Sequence, residues 1–314
     1  MKDKPCIRIG HLKIVDHLLL GIAGLQQNIS PLTHSILETV AANSWNQVSD
    51  ALIKGDITGA FIPAPIAMDL FSAGLDIRIL MFAHRSGSLI MKNKNAGIQN
   101  FNAFKGKTIL VPSELSIKNM LLHRLFSSAG LKFARHDDET ADVVYEVVSP
   151  CLMAEMVVND SDHDISGFAV AEPFGSDAVH KKIATPYCTT QSLWKNHPCC
   201  VFAMTAVVME QFPKAVEELV SLFTQTAQHI EDSKNDEIFS MAQQFLNIDT
   251  NLARQVIFGT DICFNPRLLI PDIQALNLIQ NYMADTMGVL KNKINVNHLV
   301  NSSFILKSVS ETRH

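Results

Sequence analysis

Two short stretches of this chain carry residue types that could do chemistry. The first is Pro112-Ser113-Glu114-Leu115-Ser116, a polar turn after the apolar run Thr108-Ile109-Leu110-Val111. Ile117, Met120, Leu121, Leu125 and Ala129 then recur at helical spacing, with Gly130 closing the segment. A turn so placed aims backbone N–H groups and Ser hydroxyls at the space above a strand's carboxyl end, where the positive pole of the helix dipole attracts an anion. It brings no nucleophile–base pair, so the chemistry it offers is capture. The second stretch is His197-Pro198-Cys199-Cys200, whose soft thiolate and imidazole donors suit iron or zinc. Adjacent side chains on a strand point to opposite faces, so at most one thiol is expected to face a shared cleft. A closed metal site usually needs four ligands. Both cysteines are therefore expected to be structural, one buried in its lobe and the other near a hinge, with no metal bound.

The elements that position these stretches alternate. Strands are expected at 7–10, 59–62 and 77–82, with helices at 18–27, at 44–54 capped by Ser44, and from about residue 65. This βαβ rhythm implies a mostly parallel sheet. After Gly87 a short strand at 89–91 and a polar stretch at 92–102 lead into a second run, with strands at 143–148, 167–170 and 183–184 and helices near 151–158 and 173–179. A returning strand at 199–204 precedes a chiefly helical region, with Thr205 and Thr250 as N-caps and Pro213 and Pro271 near helix starts. The expectation is an α/β protein of two lobes joined by crossing strands, residues 1–88 with 198–314 in one and 89–197 in the other. Such a chain places a ligand cleft between the lobes.

Composition bounds the function. The 314 residues are 47% hydrophobic and 18% charged, which marks a folded globular chain. A net charge of -5 gives no electrostatic case for nucleic acid, and the basic pair at Lys291 and Lys293 reads as a solvated helix end. No apolar run approaches the ~18–20 residues that span a bilayer, so no membrane insertion is expected. The apolar stretch at 18–25 is short and lacks a cleavage pattern, so no export signal is expected in the chain as given. Six cysteines without a C-x-x-C pair do not form a disulfide framework, and reduced thiols are expected.

Several motifs together resemble a known family. They are Ile7-Arg8-Ile9-Gly10-His11 followed by Asp16, Leu52-Ile53-Lys54-Gly55-Asp56, Ile62-Pro63-Ala64-Pro65, and Gly106-Lys107 through Ser116. Gly167-Phe168-Ala169-Val170-Ala171-Glu172-Pro173 and His197-Pro198 complete the set. Their order resembles the substrate-binding proteins of ABC transporters for nitrate, bicarbonate, sulfonates and taurine, a family that includes thiamine-pyrimidine binding proteins. The resemblance implies the type II periplasmic-binding-protein fold, which closes over a small ligand like a hinged clamp. It implies a binding protein and not an enzyme, with no cofactor, whose partner is an ABC transporter permease if the chain is exported. The location would then be the periplasm or cell surface. A cytoplasmic ligand sensor that reports to a regulator protein is the alternative. A less favoured one is an enzyme similar to thiamine-pyrimidine synthases, which His197 with the cysteine pair resembles.

Residue by residue, the resemblance implies that Lys13, Asp16 and His17 line the cleft from the loop after the first strand. It adds Pro63, Ala64 and Pro65 as a rigid wall, Ser113, Ser116, Ile117 and Lys118 at a helix start, Glu172 and Phe174 after a late strand, and His84 and His197 at the crossings. Plainer roles stand beside these. Asp16 would cap the helix near Leu18, Glu172 would hold a structural hydrogen bond, Lys118 would point to solvent, and Phe174 would be core. Asp16 and Glu172 in one cleft repel a bare anion unless Lys118 or a protonated His offsets them. This favours an organic ligand with donor groups while leaving an anion open.

Overall fold

The structure, a computed structural model, describes residues 4–232 and 236–311. Strands β1 (Cys6–Leu12), β2 (Ile36–Ala42), β3 (Gly59–Pro63) and β4 (Ile77–Phe82) begin a first sheet. Strands β5 (Ser88–Asn93), β6 (Thr108–Val111), β7 (Phe133–Arg135), β8 (Val143–Val147), β9 (Ile165–Ala171) and β10 (Ala184–Thr189) form a second, in the order β10-β5-β9-β6-β8-β7. The chain then returns as β11 (Cys200–Thr205), which inserts antiparallel between β3 and β4, so the first sheet runs β2-β1-β3-β11-β4. The α/β architecture is the one expected from sequence. Two strands were not foreseen, the edge strand β2 and the three-residue β7.

Helices α1 (Leu18–Gln26), α2 (Trp45–Lys54) and α3 (Ala64–Ser72) connect strands of the first sheet. Ser44 caps α2 by accepting the Gln47 N–H at 3.3 Å. Helices α4 (Ile117–Ser128), α5 (Met153–Asn159) and α6 (Phe174–His180) serve the second sheet. The region after β11 is chiefly helical, and its Thr250–Phe258 helix is capped by Asp249, which accepts from Asn251 and Leu252, rather than by Thr250. Asp precedes the helix with extended backbone, the geometry a cap requires, whereas Thr250 is already its first residue. Among the described residues no helix is long and apolar enough to cross a membrane.

Each sheet has its own aromatic centre. Phe61, Phe202 and Phe223 meet with ring centroids 5.2–5.4 Å apart beside the first; along the second, Phe126 stacks on Phe133 and meets Phe104 edge to face.

The crossings are held by backbone pairing. Ala83 N donates to Cys200 O at 2.9 Å and Ser86 N to His197 O at 3.0 Å. Arg85 and Cys263 exchange backbone hydrogen bonds at 2.9 and 3.0 Å, and the Arg85 guanidinium donates to Leu268 O and Asn196 O while lying over the Phe82 ring. Ser86, Gly87 and Asn196 all have left-handed backbone. At Gly87, φ is +88° and a Cβ would stand 2.6 Å from Ile262 Cβ, so only glycine fits the turn into β5. Gly87→Ala is expected to lower stability by at least ~1 kcal/mol, measured by urea unfolding; an unchanged midpoint would contradict the crowding at this crossing.

Candidate functional site

The loop after β1 enters a 3-10 turn, Val15–His17, that turns Asp16 and His17 inward. Val15 N donates to Glu172 O at 2.8 Å, which ties this first-sheet loop to the end of β9 in the second sheet. Asp16 does not cap α1, whose N-terminus has no side-chain cap hydrogen bond. Its carboxylate has stronger partners. Asp16 Oδ2 lies 3.3 Å from His84 Nε2 and 3.4 Å from Lys118 Nζ, and all three groups are buried. Lys118 therefore does not point to solvent; it reaches from the first turn of α4 into the junction, where its ammonium is also 3.8 Å from Cys199 Sγ.

The electrostatics follow from this geometry. Burial alone would raise the Asp16 carboxyl, but the charges of His84 and Lys118 hold it well below the usual carboxylate range. Burial would lower His84, yet the Asp16 carboxylate beside it raises the imidazole to about 10. Lys118 is likewise lowered by burial and raised further by the charges of Cys199 and Asp16, so it stays an ammonium. The Cys200 thiol bonding to Cys199, helped by Lys118 and His84, outweighs burial and brings Cys199 well below an ordinary thiol, while burial and the Cys199 charge push Cys200 up.

The cysteine pair departs from expectation. Cys199 and Cys200 are both buried, and the donor atoms of Asp16, His84, Cys199 and Cys200 all lie within 4.8 Å of one another. Strand alternation fails here because β11 starts at Cys200, leaving Cys199 in the connector, where it need not obey the two-residue period. Neither thiol is left apart from the other.

The other expected site residues divide. His17 is a core ring: its Nδ1 sits 3.1 Å from the backbone of Leu12, it packs on Trp45 and Phe61, and burial lowers its pKa well below the ordinary value. His197 has both nitrogens engaged, Nε2 with Thr190 Oγ1 at 2.9 Å and Nδ1 near Pro198 O, so it anchors the return crossing. Pro63, Ala64 and Pro65 are the β3–α3 junction, and Ala64 N donates to Cys199 O at 3.0 Å, fixing that cysteine in place. Glu172 takes the plainer of its two roles: its carboxylate accepts from Ser176 N and Oγ at 2.8 and 2.6 Å, and burial raises its pKa.

At the helix start, Ser116 caps α4 by accepting the Asn119 N–H at 3.1 Å and donates to Ser113 O, so its hydroxyl is already committed. Ile117 is buried in the core, and Ser113 accepts from Leu115 N and borders a separate polar hollow beside Glu114 and Arg135. Lys13, itself exposed, and Phe174 both line a cavity of about 290 Å³ between the sheets. Leu12 and the β2 end at Ala41, Ala42 and Asn43 share its first-sheet wall, Pro150 and Cys151 its second. The β2 and residue-150 walls were missed from sequence; the unrecognised strand hid the first, and Cys151 alone gave no signal.

The pattern of the NMT1-like family matches residues 2–244. The nitrate/nitrite binding protein NrtA of Nostoc sp. (strain PCC 7120) is 33% identical over 247 residues, covering 73% of this chain and 55% of that protein. The chain thus spans about half the length of that relative. Among solved structures, the ligand binding component of an ABC-type import system from Staphylococcus aureus with zinc bound aligns at TM-score 0.83 and 20% identity, covering 97% of this chain and 99% of that one. The periplasmic nitrate-binding protein NrtA from Synechocystis PCC 6803 aligns at TM-score 0.82 and 18% identity, covering 99% and 90%. The two-sheet fold is that of the periplasmic binding proteins.

Removing the Asp16 carboxylate leaves the buried His84 and Lys118 cations with only the Cys199 thiolate to offset them. Asp16→Ala is expected to cost ~3–5 kcal/mol in urea unfolding, and a loss below about 1 kcal/mol would mean that the charges are solvated. In metal-free protein the His84 ring, read by imidazole NMR, should stay protonated past neutral pH. Because its folded pKa of about 10 exceeds the unfolded ~6.5, its stabilising contribution is full below pH ~6.5 and is lost as pH rises toward about 10. In Asp16→Asn the ring should titrate far lower; a wild-type ring that titrates near 6.5 contradicts the pairing.

Proposed function

We propose that this chain, which belongs to the NMT1-like family, captures a small anion between its two sheets as the solute-binding component of an ABC import system. The observation that carries the reading is the cavity of about 290 Å³ walled by both sheets, in which Lys13 is the single charged side chain. Pockets at such junctions are favoured ligand sites, and one with walls on two hinged bodies is sealed when they close. An ammonium supplies the attraction for a carboxylate, sulfonate or nitrate group, and Asn43 adds a polar partner. Phe174 and the alanines give an apolar wall for a short carbon segment.

In this reading residues 1–88 with 198–314 and residues 89–197 act as the two lobes, and the crossings at Arg85 to Gly87 and at His197 serve as hinge. The function is binding without turnover, followed by handover to a permease. The nitrate/nitrite binding relative directs the choice of ligands toward oxyanions.

Thermal shift followed by calorimetry, with nitrate, nitrite, bicarbonate, taurine, alkanesulfonates and pyrimidines, tests the proposal. One anion should raise the melting temperature, and Lys13→Ala should weaken its binding by ~1.5–3 kcal/mol, about ten- to a hundredfold. No response to any anion, or equal affinity in Lys13→Ala, overturns it. Ser116→Ala should instead lower stability by ~1 kcal/mol through its lost cap, without a comparable loss of affinity.

A further inference from the structure

We propose that Asp16, His84, Cys199 and Cys200 form a closed site for one divalent cation of the zinc class. Their donor atoms, one carboxylate oxygen, one imidazole nitrogen and two sulfurs, lie within 4.8 Å of one another, and all four residues are buried. A tetrahedral zinc ion with bonds of ~2.0–2.3 Å holds its ligand atoms ~3.3–3.8 Å apart, so the cluster needs only a small contraction to coordinate. Two sulfurs with a nitrogen select a borderline-soft ion such as zinc over magnesium or calcium, which prefer all-oxygen sites. Four protein ligands without solvent access define a structural site, not one that keeps a position open for substrate.

A second observation points the same way. Asp16 Oδ1 is buried without a protein hydrogen-bond partner, so the carboxylate retains acceptor capacity that a cation beside it would use. Charge also balances. Two thiolates and one carboxylate carry three negative charges, which a dication and the Lys118 ammonium together neutralise, with His84 as a neutral ligand. Metal entry therefore displaces the imidazolium proton of His84 and the thiol proton of Cys200, and both leave to solvent. Lys118, 3.4 Å from Asp16 Oδ2 and 3.8 Å from Cys199 Sγ, remains as a hydrogen-bonding neighbour of the ligands. None of the four residues lines the anion cavity beside Lys13, so the site does not depend on that reading.

Chelator-stripped full-length protein, loaded anaerobically with cobalt(II) as a spectroscopic substitute, provides the test. One cobalt per chain is expected, with the visible bands of a tetrahedral site and thiolate-to-cobalt charge transfer, all bleached by zinc. Cys200→Ser should lose part of the charge transfer and at least about tenfold in metal affinity, whereas Cys188→Ser, outside the cluster, should keep both. Substoichiometric cobalt, a spectrum without charge transfer, or an unaltered spectrum in Cys200→Ser overturns the proposal. Should a variant fail to fold, the wild-type stoichiometry and charge transfer decide alone. Anion binding by the stripped protein is measured separately, so either reading can fail without the other.

Discussion

A carboxylate deprived of water keeps its charge only where cations are brought to it, and Asp16 imposes that condition on the whole molecule. His84 comes from the segment just after β4 and Lys118 from the first turn of α4, which serves the second sheet. The pair between Asp16 and Lys118 is thus a contact between the two sheets, and it exists only while they are together. Separating them would expose both charges to water, where each is comfortable alone. Neutralisation within the cluster thus offsets the cost of burying these charges at the junction, and the strength of each pair depends on how completely water is kept out.

One short loop joins this buried chemistry to the cavity. Lys13 lines the cavity, Asp16 belongs to the charge cluster, and between them Val15 is bonded to the backbone of Glu172 across the junction. The Glu172 carboxylate meanwhile holds the start of α6, the helix that carries Phe174 on the opposite cavity wall. The cavity wall and the charge cluster are therefore attached to the same few backbone atoms. The β3–α3 junction holds the cysteines, since Ala64, at the start of α3 directly after the strand paired with the returning one, donates its N–H to Cys199 O.

Legibility in the sequence followed burial. Strands β4 and β6 are buried on both faces, and their apolar runs announce them; β2 pairs only with β1, and of its residues only Leu37 is buried, so no apolar pattern marks it. Asp16, His84 and Lys118 stood in the expected set because the family resemblance brings their segments to one cleft, but no spacing rule says which of them touch. His17, adjacent to Asp16, faces the aromatic core instead, and a one-residue difference of direction inside a 3-10 turn is not written in residue types. The cysteines failed for a sharper reason: the expected strand began one residue too early, and that shift assigned the two thiols to opposite faces.

Arg85 braces the crossing into β5 from a distance along the chain. Its guanidinium and backbone hold Leu268 and Cys263, which lie beyond residue 244, where the family pattern ends. The stiffness of the crossing is therefore set by a part of the chain outside the shared pattern. Substitutions at Cys263 or Leu268, outside the stretch that the family pattern describes, would therefore loosen the crossing without touching a single residue of that pattern.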